Sequence, residues 1–263
     1  MGKVISFGIQ KGGSGKTTSA GVTAHLLSQD HKVLVIDMDS QGNVTELLTQ
    51  VDIYDFSGRT VLEALQNETT KGYIHQITEN LHIMTADDLL ATFSRWSYRE
   101  YERKTKENPN FLLRKILQEV KDQYDYIIID TPPALGDQTL NALIASDYAV
   151  VMFESSKFCY SALGRYLETI NHVQEKANPD LQVAGILRVM IDSRRADNKH
   201  LIDLVKEEYP DLTLETVISR KAATGRLSIY GFMENDELKQ AVEQYKVFLK
   251  ELLERVQEPA RQA

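Results

Sequence analysis

A glycine-rich segment near the amino terminus has the residue types and the order of a phosphate-binding loop. It reads Lys11-Gly12-Gly13-Ser14-Gly15-Lys16-Thr17-Thr18 and lies between an apolar run and a predicted helix. Glycines permit the tight turn that points successive backbone N–H groups at phosphate oxygens, and a following helix presents its positive end to the same anion. Lys16 can reach the β- and γ-phosphates, and the Thr17 hydroxyl can bind Mg²⁺. The strict G-x-x-x-x-G-K-[ST] pattern is not met, because Gln10 occupies its first glycine position.

Three acidic residues follow two further apolar runs of the sequence. Asp37 and Asp39 come after the run 33–36, and Asp130 comes directly after the run 126–129. Because the carboxyl ends of parallel strands meet at the edge of a sheet where ligands bind, we expect these carboxylates to lie near the glycine-rich loop. Taken singly, each acid could equally cap a helix. Together with the loop, they indicate Mg²⁺ binding, directly or through water, and positioning of a water molecule.

Short apolar runs alternate with helix-like stretches along the whole chain. The runs predicted as strands are Val4–Ile9, Val33–Ile36, Leu81–Met84, Tyr126–Ile129, Tyr148–Phe153 and Val183–Ile191. Helices are predicted near 16–29, 60–67, 111–122, 137–146, 159–177, 196–209 and 236–256. Most strands lack alternation of polar and apolar residues, which is typical of strands covered on both faces. The pattern predicts a single α/β domain over residues 1–263 that is like a P-loop NTPase, with a mostly parallel twisted sheet and helices on both faces.

Composition excludes several classes of protein. Thirty Lys and Arg against 38 Asp and Glu give a formal net charge of −8, which excludes constant, charge-driven coating of nucleic acid or anionic lipid. The single cysteine, Cys159, excludes a disulfide framework and any Cys-only metal cluster within one chain. No signal-peptide pattern is present, and the apolar runs are much shorter than the ~20 residues that span a bilayer. We therefore expect a cytoplasmic protein.

Two further segments carry mixed charges. The stretch 94–110 is polar and contains Trp96, Tyr98 and Tyr101, which predicts a surface helix with its aromatic side chains packed on the domain; a partner-binding face is the alternative. The stretch 236–258 has apolar residues at helical spacing, with six acidic and four basic residues. A tail that positions a protein on anionic lipid is basic, so this carboxyl-terminal helix is predicted to pack against the sheet.

Together these residues resemble the ParA/MinD group of deviant-Walker-A ATPases, and they are most similar to ParA-type DNA-partition ATPases. The resemblance covers most of the chain. The additional lysine ahead of the paired glycines, here Lys11, marks the group. The patterns Asp37-x-Asp39-x-Gln41-Gly42-Asn43 and Asp130-x-Pro132-Pro133-x-x-Gly136, which continues to Asn141-Ala142-Leu143, are specifically ParA-like. Ser40 stands where the family usually has proline.

The resemblance implies a Mg²⁺-dependent ATPase that works as an ATP-dependent homodimer. The nucleotide would be bound by Lys11, Gly12, Gly13, Ser14, Gly15, Lys16, Thr17, Thr18, Asp192 and Arg220, and the metal by Thr17, Asp37 and Asp130. Lys11 would reach the phosphates that the other subunit holds. Asp39 would orient the attacking water, while Lys11 and Lys16 would offset the charge that develops on the γ-phosphate. Turnover would be slow until a partner accelerates it.

The second half of the chain carries the residues expected to contact DNA. They are Arg194, Arg195, Lys199, Lys221 and Arg226. The stretch Arg220–Ile229 holds three basic residues and no acid, and no motif reads base edges, so the expected binding is independent of DNA sequence. For each residue the alternative is a solvated charge paired with a neighbouring acid.

The function that the resemblance implies is ATP-dependent segregation of plasmid or chromosomal DNA. The ATP-bound dimer would bind double-stranded DNA and so associate with the nucleoid. A ParB-like centromere-binding partner would stimulate hydrolysis and release the dimer. The alternative is a MinD-like positioning ATPase that acts on a membrane or a protein scaffold; the acidic carboxyl-terminal helix argues against a membrane partner.

Overall fold

One sheet organises the part of the chain that the computed structural model describes, which is residues 2–191, 196–219, 222–232 and 236–257. Its strands are β1 (Lys3–Gly8), β2 (Val33–Asp37), β3 (His75–Gln76), β4 (Leu81–Met84), β5 (Tyr126–Asp130), β6 (Tyr148–Glu154), β7 (Gln182–Ile191) and β8 (Thr213–Ser219). Their order is β3-β4-β2-β5-β1-β6-β7-β8. Every pair is parallel except β3 with β4. The predicted mostly parallel sheet is confirmed.

Helices connect the strands, as expected for parallel neighbours. Within the described residues they are α1 (Lys16–Leu27), α2 (Asn43–Thr49), α3 (Val61–Gln66), α4 (Phe93–Trp96), α5 (Glu102–Thr105), α6 (Leu112–Leu117), α7 (Asp137–Ala145), α8 (Lys157–Lys176), α9 (Ala196–Glu208), α10 (Ala222–Tyr230) and α11 (Asp236–Gln257). Short 3₁₀ segments lie at 53–56, 88–92, 109–111 and 121–123, and a π-helical turn joins α4 to α5 at 97–101.

Two hydrophobic cores lie on opposite faces of the sheet. In β2, Val33 and Val35 belong to one core, which also contains buried residues of α1, α8 and α11. Leu34 and Ile36 belong to the other core, with buried residues of α3 and α6. Successive side chains of a strand point to opposite faces, so a strand buried on both sides must be apolar at every position. This explains the uninterrupted apolar runs of the sequence.

The strand register brings the predicted phosphate-binding and metal-binding residues together at the carboxyl ends of neighbouring strands. Phe7 of β1 pairs with Asp130 of β5, and Asp37 of β2 pairs with the same Asp130. The chain leaves β1 at Gly8 and enters the glycine-rich loop directly afterwards. The carboxyl ends of β1, β2 and β5 therefore carry the loop and two of the three acids side by side.

Four elements were not predicted from the sequence, and one of them, β3, has only two residues. β8 lies at the edge of the sheet, where Glu215 and Ser219 are exposed and interrupt the apolar run. α2 has seven residues, which is too short for a clear helical period, and α10 contains Gly225, a residue that disfavours helices.

The polar stretch 94–110 forms α4, the π-helical turn and α5. Tyr101 is buried, and Trp96 is half-buried against the same core. Tyr98 is exposed, and its hydroxyl donates a hydrogen bond of 2.8 Å to Oδ1 of Asp137, the first residue of α7. This hydrogen bond connects the exposed side of the stretch 94–110 to the start of α7, the helix that follows Asp130.

The carboxyl-terminal helix α11 packs its apolar face on the sheet. Its buried residues are Val242, Tyr245, Phe248, Leu252 and Val256. The ring of Phe248 meets the ring of Phe7 edge to face, with 6.3 Å between the centroids. Among the described residues, no helix combines the length and the apolar character needed to cross a bilayer.

Truncating the buried contact of α11 is expected to destabilise the whole domain. Phe248→Ala should lower the free energy of unfolding by about 3–5 kcal/mol, because it removes a fully buried ring next to β1. Val247→Ala, on the 63% exposed neighbour, should change it by less than about 0.5 kcal/mol. Urea unfolding without nucleotide, followed by circular dichroism, measures both. Equal losses in the two variants would contradict the packing of α11 on the sheet.

Candidate functional site

The glycine-rich loop takes a backbone path that needs glycine. Gly13 has φ = 71° and Gly15 has φ = 73°, both in the left-handed region that other residues rarely adopt. Gly15 is the N-cap of α1, so Lys16, Thr17 and Thr18 form the first turn of that helix. A Cβ on Gly12 or Gly13 would meet no atom within 4 Å. The space above the loop is open, and the unpaired N–H groups of the helix start border it.

Lys16 is buried at the base of this loop. Its ammonium donates a hydrogen bond of 2.9 Å to the backbone carbonyl of Lys11, and the Ser14 hydroxyl donates to the same oxygen at 3.1 Å. Burial lowers the pKa of Lys16, and the negative charges of Asp130 and Asp39 oppose that shift. The glycine-rich loop therefore holds the Lys16 ammonium in position.

Asp37 is fully buried and accepts three hydrogen bonds. Oδ1 accepts from the N–H of Asp39 at 3.1 Å, and Oδ2 accepts from the N–H and the hydroxyl of Thr45 at 3.1 and 2.8 Å. Burial raises the pKa of Asp37 to about 7, although these donors lower it. The carboxylate fastens the end of β2 both to the turn that carries Asp39 and to the first turns of α2.

Asp130 lies beside Asp37 in a different environment. It is fully buried, and neither of its carboxylate oxygens has a hydrogen-bond partner of normal geometry in the described part of the chain. Burial raises the pKa of Asp130 well above its ordinary value, and the nearby charge of Asp37 adds to this, while Thr17 and Lys16 oppose it. A buried acceptor without a donor is the arrangement that a cation would satisfy.

The donor set fits Mg²⁺ held together with a nucleotide rather than by the protein alone. The described residues contain no group of three or more His, Cys, Asp or Glu placed to hold a metal. Mg²⁺ in nucleotide sites is usually bound through one or two carboxylates together with phosphates and waters. Asp130 and the hydroxyl of Thr17 supply oxygens of that kind, whereas both oxygens of Asp37 already accept hydrogen bonds.

Asp39 faces a cleft that begins at the loop. Its side chain is 7% exposed, and Oδ1 accepts a hydrogen bond of 3.1 Å from the N–H of Gln41. The cleft has a volume of about 440 Å³ and is lined by loop residues 12–18, by Asp39, Gln41 and Asn43, and by Gly225 and Leu227 of α10, among others. The cleft therefore extends from the glycine-rich loop and the end of β2 to α10. The sequence patterns did not predict that α10 forms one wall of the cleft.

Lys11 does not lie in this cleft. Its ammonium is 2.6 Å from Oε2 of Glu154, the last residue of β6. Sequence reasoning missed Glu154; the available signal was an acid at the end of a strand that pairs with β1.

The predicted DNA-binding residues, and two of the predicted nucleotide-binding residues, fall mostly outside the described residues. Asp192, Arg194, Arg195, Arg220 and Lys221 lie outside them altogether, and the side chain of Lys199 in α9 does as well. Arg226 is exposed on α10. These assignments stay predictions.

Removing the donor to Asp37 is expected to loosen the site in a pH-dependent way. Thr45→Val deletes the hydroxyl that donates to Asp37 and accepts from the N–H of Ala86, which should cost about 1–3 kcal/mol of unfolding free energy. The folded-state pKa of Asp37 is above its unfolded value, so its contribution to stability falls as pH rises through about 7. Loss of the donor raises that pKa further and penalises the charged form.

The deficit of Thr45→Val should therefore be larger at about pH 8 than at about pH 5. Urea unfolding of the nucleotide-free protein at both pH values measures it. Thr45→Ser keeps the hydroxyl and serves as the control, with a smaller and nearly pH-independent loss. The same deficit at both pH values, or in both variants, would rule out this role for the Thr45 hydroxyl.

Comparison with known proteins agrees with the geometry of the site. Residues 2–183 match the protein-family model described as an AAA domain. The sporulation initiation inhibitor protein Soj of Bacillus subtilis is 34% identical over 240 residues, which cover 88% of this chain and 89% of Soj. The chromosome partitioning protein ParA of Myxococcus xanthus is 32% identical over 235 residues, which cover 88% of this chain and 80% of that protein.

A solved structure is similar over nearly the whole chain. It is cobyrinic acid a,c-diamide synthase of Mycobacterium smegmatis with a bound ATP analogue and magnesium, which is 26% identical with a TM-score of 0.81. The alignment covers 98% of this chain and 97% of that one. The fold is thus that of P-loop NTPases, and the sequence relatives place it more narrowly. The chain belongs to the ParA/Soj family of partition ATPases.

Proposed function

We propose that this protein is a Mg²⁺-dependent ATPase that dimerises on binding ATP and binds duplex DNA without sequence preference as a dimer. A ParB-like, centromere-binding partner stimulates hydrolysis and so releases the dimer from DNA. The observation that carries the proposal is the meeting of the glycine-rich loop with Asp37, Asp39 and Asp130 at adjoining strand ends. The relationship to Soj and ParA supports partition as the process that this ATPase serves.

The loop and the acids have separate roles in hydrolysis. The backbone N–H groups of the loop and the ammonium of Lys16 hold the phosphates. Thr17 and Asp130 would hold Mg²⁺, which would supply positive charge to neutralise the phosphate oxygens. Asp39 has one carboxylate oxygen fixed by the N–H of Gln41, so the other can orient a water molecule in the cleft. Asp37 keeps the turn that carries Asp39 in place.

Dimer formation depends on the charge of the bound nucleotide. Two loops that each carry Lys11 and Lys16 would repel one another if they met directly. Two nucleotides between them remove this repulsion, and Lys11 of each subunit then contacts the phosphates held by the other. Hydrolysis followed by departure of the phosphate product removes part of that negative charge and weakens the pair.

A DNA contact that exists only in the dimer is compatible with the acidic composition. The chain has a net charge of −8, and its candidate DNA-binding residues are few. Pairing two subunits doubles the number of basic residues that one DNA molecule can meet, and electrostatic affinity rises steeply with that number. The apolar face of α11 is already packed on the sheet, which favours DNA over lipid as the partner of the ATP-bound state.

Anisotropy of a labelled random DNA duplex, measured with ATP, with ADP and without nucleotide across a salt series, tests this function. We expect binding with ATP only, with an affinity that falls steeply as salt increases. Lys16→Ala should weaken nucleotide binding by about 10- to 100-fold, because it removes a charged donor to the phosphates. Lys71→Ala, on an exposed lysine outside the site, is the control. Equal DNA binding with ATP and ADP would refute an ATP-dependent switch.

Loss of the water-positioning carboxylate is expected to trap the DNA-bound state. Asp39→Ala should keep ATP binding, abolish measurable hydrolysis and slow the release of DNA after excess unlabelled duplex is added. Asp55→Ala, on an exposed acid nearby in sequence, should behave as the unmodified protein. Phosphate release and DNA dissociation are measured on the same samples. Normal hydrolysis by Asp39→Ala would show that another group orients the water.

A further inference from the structure

Lys11 is held inside its own subunit by an acid that the proposed function does not use. Its ammonium lies 2.6 Å from Oε2 of Glu154 and 3.3 Å from the backbone carbonyl of Gly12. The two side chains are only 24% and 20% exposed. An ion pair that is this short and largely shielded from water is stronger than a pair on the open surface.

The first turn of α8 fixes Glu154 in place. The backbone N–H of Glu154 donates a hydrogen bond of 3.3 Å to Sγ of Cys159, and the backbone carbonyl of Glu154 accepts one of 2.7 Å from the N–H of Ser156. The Ser156 hydroxyl also donates to Oε2 at 3.4 Å. Because Glu154 ends β6, which pairs with β1 beside the loop, its carboxylate is presented to Lys11 by rigid backbone.

The proposed function gives Lys11 a second group of anions to meet. These are the phosphates held by the other subunit, and they lie outside the subunit to which Lys11 is tied. To reach them the ammonium must leave the Glu154 carboxylate, so carboxylate and phosphate compete for one cation. The outcome of this competition sets how readily two ATP-bound subunits pair.

Pairing of two subunits would change the strength of the interaction that Lys11 makes. Phe158, in the first turn of α8 and four residues after Glu154, is 81% exposed, so this part of the surface includes apolar area for a second copy of the chain to cover. Covering the neighbouring ion pair as well would remove water from Lys11 and strengthen its attraction to whichever anion it then meets.

We propose that Glu154 is a positioning residue that stores Lys11 in the unpaired subunit and competes for it with the nucleotide phosphates. The inference rests on the proposed ATP-dependent dimer. In the unpaired subunit, the contact raises the protein concentration at which ATP-bound chains associate. After hydrolysis, Glu154 recaptures Lys11 and favours separation. Since each dimer must release two such contacts, the effect on the dimer dissociation constant is the square of the effect of one.

Glu154→Gln tests the competition, because it removes the charge and keeps the shape. Sedimentation of the full chain with Mg²⁺ and a non-hydrolysable ATP analogue gives the dimer dissociation constant. A loss of about two- to fivefold per contact should lower this constant by about 4- to 25-fold. Glu154→Asp keeps the charge on a shorter side chain, and its dissociation constant should lie nearer that of the unmodified protein. Glu168→Gln removes an exposed charge from α8, the helix that follows Glu154 in the chain, and should change nothing.

Urea unfolding of the nucleotide-free protein tests whether Glu154 and Lys11 interact in the unpaired subunit. A double-mutant cycle of Glu154→Gln with Lys11→Gln, measured by urea unfolding, should show that the two substitutions are coupled. Additive effects would mean that the two groups do not interact, and would overturn the proposal. The same urea unfolding measurements also show whether each variant folds.

The possible results separate this inference from the function on which it rests. If the unmodified protein binds the analogue but stays monomeric, the proposed ATP-dependent dimer is wrong, and the role of Glu154 falls with it. If the unmodified protein dimerises and Glu154→Gln dimerises equally or more weakly, only the role of Glu154 is overturned. Tighter dimers in Glu154→Gln, unchanged in Glu168→Gln, support it.

Discussion

The site depends on one constraint, which is that acidic side chains are concentrated at the carboxyl ends of adjacent parallel strands. The register of β2 and β5 places two fully buried carboxylates, Asp37 and Asp130, directly beside each other. Hydrogen bonds from Asp39 and Thr45 compensate Asp37, whereas Asp130 has no such donors in the described chain. Burial raises the pKa of both acids, the charge of Asp37 raises the pKa of Asp130 further, and the buried cation Lys16 opposes the shift of Asp130. The folded chain thus maintains a site that further positive charge would stabilise.

The two hydrophobic cores explain how the fold tolerates these buried acidic residues at the strand ends. Strands that are apolar on both faces are held between two helical layers, so the sheet keeps its register although its edge carries unfavourable charge. The candidate catalytic and binding groups lie at the carboxyl ends of β2 and β5 and on the short segments that follow β1 and β2. Binding loops positioned by a rigid scaffold are common, because the scaffold supplies the stability that the loops lack.

Local patterns in the sequence predicted the parts of the site that depend on local physics. Gly13 and Gly15 have the positive φ angles that glycine allows, and the apolar runs form β1, β2 and β5 as expected. Contacts set by register and distant packing were not predictable in this way. The ion pair of Lys11 with Glu154 requires β1 and β6 to be neighbours, and the wall formed by α10 requires the whole chain. The edge strand β8 was missed because its exposed side has no reason to be apolar.

Under the proposed function, the acidic composition and the competition for Lys11 would act on the same equilibrium, which is the pairing of two subunits. The dependence of DNA affinity on salt scales with the number of phosphates that a protein neutralises, so two paired basic patches bind far more tightly than one. For the proposed dimer, a small change in how readily subunits pair would therefore produce a larger change in DNA affinity. A contact such as that of Glu154 with Lys11, which acts before pairing, would set the threshold for DNA retention without touching DNA. Because the chain has a net charge of −8, an unpaired subunit would bind DNA weakly, and separation of the proposed dimer would release it from DNA.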